Sequence, residues 1–99
     1  MLNTAFEPWS SFTSEEADAV SKVLLSNKVN YWTGQECREF EKEFATFSGA
    51  PYAVALANGT VALDVALKAL NIGAGDDVIV TSRTFLASAS SIVTAGANP

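Results

Sequence analysis

The sequence predicts an α/β chain with elements in the order αα-βαβα, the opening segment of a mostly parallel sheet. Three observations predict it. Two Thr-x-x-Glu signatures, Thr13/Glu16 and Thr33/Glu36, each precede apolar residues at helical spacing. A short apolar run, residues 52–57, passes over Asn58-Gly59-Thr60 straight into another helix-like run. A second apolar run, residues 78–81, leads into a stretch of small residues that reads as a fourth helix.

Residues 1–12 carry Pro8, Trp9 and two Phe without periodicity and read as an extended arm. Thr13 then caps the first helix and Glu16 completes a capping box, with Phe12 and Ala17 at the positions of a hydrophobic staple. Ala17, Val20, Val23 and Leu24 follow at helical spacing, and the helix is expected to end near Ser26-Asn27. "NKVNYWTG" is a connection holding two large aromatics. Thr33 and Glu36 repeat the capping box, and Trp32 and Cys37 repeat the staple positions. Cys37, Phe40, Phe44 and Phe47 form one apolar stripe on the second helix, which Gly49 ends and Pro51 follows.

Residues 52–57 are apolar throughout and bounded by turn signals, which suits a strand buried on both faces. Residues 60–70 read as a helix with Leu63, Leu67 and Leu70 on one side and an Asp64/Lys68 ion pair on another. "NIGAGDD" is a loop, residues 78–81 form the second strand, and a helix runs from Thr84 until Gly96 stops it. Strand, helix and strand with short connections make a right-handed parallel crossover. Two parallel strands normally belong to a larger sheet covered on both faces. The expected organisation is therefore an arm over residues 1–12 and the beginning of a larger α/β domain over residues 13–99.

Ninety-nine residues allow one domain at most. The net charge of −5, with no basic cluster, argues against nucleic acid or an anionic membrane surface as partner. A single Cys37 cannot form an internal disulfide, which fits a reducing, cytoplasmic compartment. No apolar run reaches the roughly 18 residues of a membrane span, and the N-terminus lacks a signal-peptide pattern. The chain has no His, so a His-activated nucleophile is excluded within it, and no zinc or other metal site is expected. Catalysis would need carboxylates, Lys, Tyr or a cofactor.

The turn at Asn58-Gly59-Thr60 is the strongest candidate site. A helix that starts directly after a strand presents unpaired N–H groups and partial positive charge at the strand's carboxyl end. Gly59 lets an anion approach without a Cβ in the way, and Thr60 offers a hydroxyl. The alternative is a plain structural turn capped by Asn58. The "GAG" at residues 73–75 lies between a helix and a strand, the reverse of a dinucleotide fingerprint, and no P-loop lysine is present. The second turn, "TSRTF", should lie beside the first at one sheet edge, where Phe85 either covers a flat ring or belongs to the core of its own helix.

Together, "NGTVALDVALKALNIGAGDDVIV" and "TFLASASSIVTAGANP", preceded by "SNKVNYWTGQECREFEKEFATFSGAPYAVALANGT", resemble the DegT/DnrJ/EryC1/StrS family of sugar aminotransferases. The resemblance covers roughly residues 8–99. It implies the N-terminal part of the large domain of a fold-type I enzyme dependent on pyridoxal phosphate. Such enzymes transfer an amino group, usually from glutamate, to a nucleotide-linked keto sugar, in polysaccharide and lipopolysaccharide biosynthesis. It further implies that Gly59 and Thr60 bind the cofactor phosphate, with Val61 as a possible further N–H donor, and that Phe85 stacks on the pyridine ring. Family members work as homodimers with sites at the interface.

The same resemblance implies that the Schiff-base lysine lies beyond Pro99, so no catalytic residue is expected within residues 1–99. Lys22, Lys28, Lys42 and Lys68 read as solvated surface lysines. Trp9, Tyr31 and Trp32 either contact substrate or partner subunit, or pack locally. Two further readings stay open: a small α/β module that binds phosphorylated ligands, and a non-catalytic regulatory relative.

Overall fold

A computed structural model describes residues 10–99; most of the expected arm, with Pro8 and Trp9, lies outside the described residues. The chain divides between Ala53 and Val54 into two compact units.

The first unit holds two helices, α1 (Ser14–Leu25) and α2 (Glu36–Ser48). Thr13 caps α1 as expected. Its hydroxyl accepts the Glu16 N–H at 3.2 Å, and the Glu16 carboxylate takes the Thr13 N–H at 2.7 Å and its hydroxyl at 2.8 Å. These bonds hold the Glu16 carboxyl below the ordinary glutamate value, the backbone bond from Thr13 contributing most. The second capping box does not form. Gln35 is the N-cap of α2 and makes no side-chain cap bond. Thr33 instead donates its N–H and its hydroxyl to the Asn30 side chain, at 3.0 and 3.1 Å. The Asn30 oxygen takes the Thr33 N–H that the box would give to the Glu36 carboxylate, and the cap falls at Gln35, two residues beyond Thr33. Trp32 and Cys37, the expected staple pair, are both exposed, and Tyr31 reaches α2 through Glu41 and Arg38. The apolar stripe is present: Phe40, Phe44 and Phe47 follow one another with ring centroids 5.6 and 6.3 Å apart.

The second unit holds α3 (Gly59–Ala69) and α4 (Ala87–Thr94), which pack against each other. Ala87, Ser91, Ile92 and Ala97 form its small buried core, and the Ser91 hydroxyl bonds the Ala87 carbonyl within the helix. The α4 helix begins three residues later than expected. Thr84 lies before it and shares a hydrogen bond with the Ser88 hydroxyl at 2.8 Å.

Three helices end in the same way. After α2, α3 and α4 the chain passes through a left-handed residue, Gly49 (φ 67°), Asn71 (φ 56°) or Gly96 (φ 87°). The next N–H then returns to a carbonyl five residues back: Ala50 to Ala45, Ile72 to Leu67, Ala97 to Ile92, at 3.0 to 3.1 Å. This is the Schellman closure, which satisfies carbonyls the helix leaves open. A variant closes α1, where the Ser26 hydroxyl donates to the Val23 carbonyl and accepts the Lys28 N–H.

The sheet is only begun. Among the described residues there is no strand, and residues 52–57 and 78–81 do not pair with each other. One parallel bridge joins Asp77 to Asn98: Asn98 N–H donates to the Asp76 carbonyl at 2.9 Å, and Val78 N–H to the Asn98 carbonyl at 2.8 Å. That bridge gives α4 the place of a crossover between parallel segments. The expected burial of residues 52–57 on both faces is absent too, with Tyr52 exposed at 86%. An extended segment can hide neither its faces nor its backbone groups without neighbouring strands.

Candidate functional site

The turn at residues 58–60 has the geometry of an open helix N-terminus. Asn58 is extended (φ −168°, ψ 170°), and its side-chain oxygen accepts the Val61 N–H at 3.0 Å. The Asn58 carbonyl accepts the Ala62 N–H at 3.1 Å. Of the donors in the first turn, those of Gly59 and Thr60 are left with no partner among the described residues. Val61, the possible third donor, is already committed to the cap.

Two further features mark this end. A Cβ placed on Gly59 would meet nothing within 4 Å among the described residues, so the space in front of it is open there. No carboxylate stands in the first turn of α3, whereas α1 has Glu15 and Glu16 there and α2 has Glu36 and Glu39. Those two helices meet their own N-terminal partial charge with glutamates. The third presents two donors and a hydroxyl to whatever anion approaches. A phosphate group fits that donor set and that space.

Phe85 belongs to the same unit and lies just before α4. Its ring is 76% exposed, so it does not serve as a core residue of that unit. Its carbonyl accepts the Ser88 N–H at 3.0 Å, which ties it to the start of the helix. The loop at residues 73–76 is closed by its own bonds: Asp76 N–H to the Gly73 carbonyl at 3.1 Å, and Gly73 N–H to the Asp76 carboxylate at 2.8 Å. This supports its reading as a structural turn.

Lys42 pairs with Glu39 at 2.7 Å on the surface of α2. The expected Asp64/Lys68 ion pair is not made; both residues instead line an open groove of about 520 Å³ beside Ser91 and Thr94. Among the described residues there is no group of three or more metal-ligating side chains, and no helix is long and apolar enough to cross a membrane.

Residues 10–99 match the DegT/DnrJ/EryC1/StrS aminotransferase family, and the chain belongs to it. The cofactor of this family is pyridoxal phosphate. The chain is 54% identical over 61 residues to GDP-perosamine synthase of Caulobacter vibrioides, covering 62% of this chain and 16% of that protein. It is 41% identical over 88 residues to dTDP-3-amino-3,6-dideoxy-α-D-galactopyranose transaminase of Aneurinibacillus thermoaerophilus, covering 89% and 24%. The crystal structure of an aminotransferase from Psychrobacter cryohalolentis superposes with a TM-score of 0.87 at 70% identity, covering 94% of this chain and 24% of that one. The chain thus spans no more than about a quarter of the length of these relatives.

Proposed function

We propose that residues 10–99 are the N-terminal part of the large domain of a fold-type I aminotransferase. The complete enzyme moves an amino group from glutamate to the keto group of a nucleotide-linked sugar. The observation that carries this reading is the pair of free N–H groups at Gly59 and Thr60, beside an open Cβ position, in a chain of this family.

The cofactor, when bound, supplies the electron sink for amino-group transfer. This chain's residues hold it. The Gly59 and Thr60 N–H groups and the Thr60 hydroxyl bind the phosphate, and the helix dipole favours its charge. Asn58 fixes the turn by holding the Val61 N–H. The exposed Phe85 ring covers one face of the pyridine. These are positioning roles, and they matter because a misplaced reacting group costs rate. The lysine that holds the cofactor covalently comes from outside residues 1–99. The complete enzyme is a cytoplasmic homodimer, and its aminated sugars enter polysaccharides, lipopolysaccharide among them; these points follow the resemblance.

The test is a half-reaction. The complete protein, loaded with pyridoxal phosphate and mixed with glutamate, is expected to release one 2-oxoglutarate per site. A complete protein that retains no cofactor, or retains it and releases none, contradicts the proposal.

A further inference from the structure

Asn58 is the one asparagine of the chain that is followed by glycine. Asparagine is chemically labile because the backbone nitrogen of the next residue can attack its side-chain carbonyl. How crowded and how engaged that nitrogen is sets the rate, and on both counts the asparagines of this chain differ. After Asn27, the Lys28 N–H donates to the Ser26 hydroxyl at 3.1 Å. After Asn71, the Ile72 N–H donates to the Leu67 carbonyl at 3.0 Å, within the closure of α3. The Asn30 side-chain oxygen accepts three bonds, from Trp32 N–H, Thr33 N–H and the Thr33 hydroxyl, and the bulky Tyr31 follows it. Asn98 precedes Pro99, which has no N–H to give up. Of the described asparagines, only Asn58 is followed by a nitrogen that has neither a side chain beside it nor an acceptor among the described residues.

Three features of the turn favour that attack. Asn58, Gly59 and Thr60 are all exposed, and a Cβ on Gly59 would meet nothing within 4 Å among the described residues, so ring closure is not crowded there. The Val61 N–H donates to the Asn58 side-chain oxygen at 3.0 Å, which polarises the carbonyl under attack. The partial positive charge at the start of α3 favours the anionic nitrogen and the oxyanion that forms. The resting conformation opposes it: Asn58 is extended (ψ 170°), and the backbone has to turn about ψ before the Gly59 nitrogen reaches Cγ. The cap that resists this turn is a weak restraint, worth about fivefold in an equilibrium.

We propose that Asn58-Gly59 is a self-modification site, open when the cofactor is absent and closed when its phosphate is bound; the second half rests on the aminotransferase reading above. The Gly59 nitrogen loses its proton to solvent base and bonds to Asn58 Cγ. The bond from Cγ to the amide nitrogen breaks, and ammonia leaves. A five-membered imide remains, which water opens at either of its carbonyls. The products are an aspartate, or an isoaspartate in which the main chain runs through the former side chain. The net change is water in and ammonia out, with no oxidant or reductant. Either product puts a carboxylate beside the place of the phosphate, and the isoaspartate also lengthens the backbone ahead of the Gly59 and Thr60 donors. A phosphate that accepts the Gly59 N–H occupies the attacking nitrogen. Conversion thus retires molecules that have stayed without cofactor.

The test incubates the complete protein at mildly alkaline pH and follows each asparagine by peptide mapping, which reads the amide-to-acid mass change and separates isoaspartate from aspartate. In the cofactor-free protein Asn58 is expected to convert at least about tenfold faster than Asn27 or Asn71. Pyridoxal phosphate at about 100 times its dissociation constant is expected to slow Asn58 at least about tenfold, and pyridoxal, which lacks the phosphate, to leave the rate unchanged. Gly59→Ala, whose Cβ has open space among the described residues, is expected to slow the cofactor-free conversion at least about tenfold. Asn58→Asp mimics one product. It keeps a cap of equal quality, so its melting point stays near the wild type's, and it is expected to bind pyridoxal phosphate about tenfold more weakly. Asn58 converting no faster than Asn27 or Asn71 overturns the proposal. So does equal conversion with and without pyridoxal phosphate in a protein that passes the glutamate half-reaction. A protein that fails the half-reaction contradicts the aminotransferase reading instead, and the cofactor-free rates still decide whether Asn58 modifies itself.

Discussion

The Asn58 side-chain oxygen accepts the Val61 backbone N–H at 3.0 Å, and this one bond decides which donors the start of α3 has left to offer. It removes the third N–H of the turn from any ligand and leaves Gly59 and Thr60. Asn58 is therefore both the structural cap and the residue that shapes the candidate phosphate site. The two readings open at the sequence level are compatible in one geometry.

Replacing Asn58 with Ala removes the cap. The expected cost is about 1 kcal/mol of stability, the usual effect of losing a good N-cap. Chemical denaturation of the complete protein measures it. Cofactor affinity falls in the same variant, since the turn that holds Gly59 and Thr60 loses its tie to Val61.

Gly59→Val separates binding from stability. Its Cβ meets nothing within 4 Å among the described residues, so the cofactor-free protein is expected to melt within a few degrees of the wild type. The same side chain occupies the space in front of the free N–H groups. Affinity for pyridoxal phosphate is expected to fall at least about tenfold, roughly the worth of one hydrogen bond to a charged group. A titration followed by cofactor absorbance reads it.

Gly34→Ala is expected to destabilise the protein by about 1–3 kcal/mol, as overpacking typically does. The added Cβ runs into the Lys28 backbone carbonyl, which cannot swing away as a side chain would. Thermal melting of the variant checks this, and a melting point equal to the wild type's contradicts the loop geometry.

Glu16 gives a pH prediction. Its folded value lies below the ordinary 4.5 because Thr13 donates to its carboxylate. A depressed carboxyl contributes stability that is present above the unfolded value and is lost as pH falls through the folded one. The helical content of α1 is thus expected to decline below about pH 4.5. In Thr13→Val one of the two bonds to the carboxylate is gone, so carboxyl-detected NMR titration should find Glu16 nearer its ordinary value.

The helices were legible because their signals are local. Thr13 and Glu16 sit three residues apart, and Gly49 and Gly96 stand where a left-handed residue must follow a helix. The Thr33/Glu36 pattern misled for an equally local reason: Asn30, three residues upstream, accepts the Thr33 N–H that Glu36 would otherwise accept. An Asn at that spacing was the readable warning. The strand signal at residues 52–57 marks a preference that only neighbouring strands can realise, and the described residues supply a single bridge, at Asp77 and Asn98. At the candidate site, the open N–H groups of Gly59 and Thr60 were legible from chain order alone, and their role toward a phosphate is the proposal. The engagement of Val61 was not, because it depends on where one side-chain oxygen points.

We propose that Gly59 and Thr60, and not Val61, hold the cofactor phosphate. The most direct measurement labels the Gly, Thr and Val amides of the complete protein with 15N and compares binding of pyridoxal phosphate with binding of pyridoxal. A downfield proton shift of the Gly59 and Thr60 amides that requires the phosphate is expected, with Val61 little changed. Equal responses to the two ligands, or a phosphate-dependent shift confined to Val61, would contradict it.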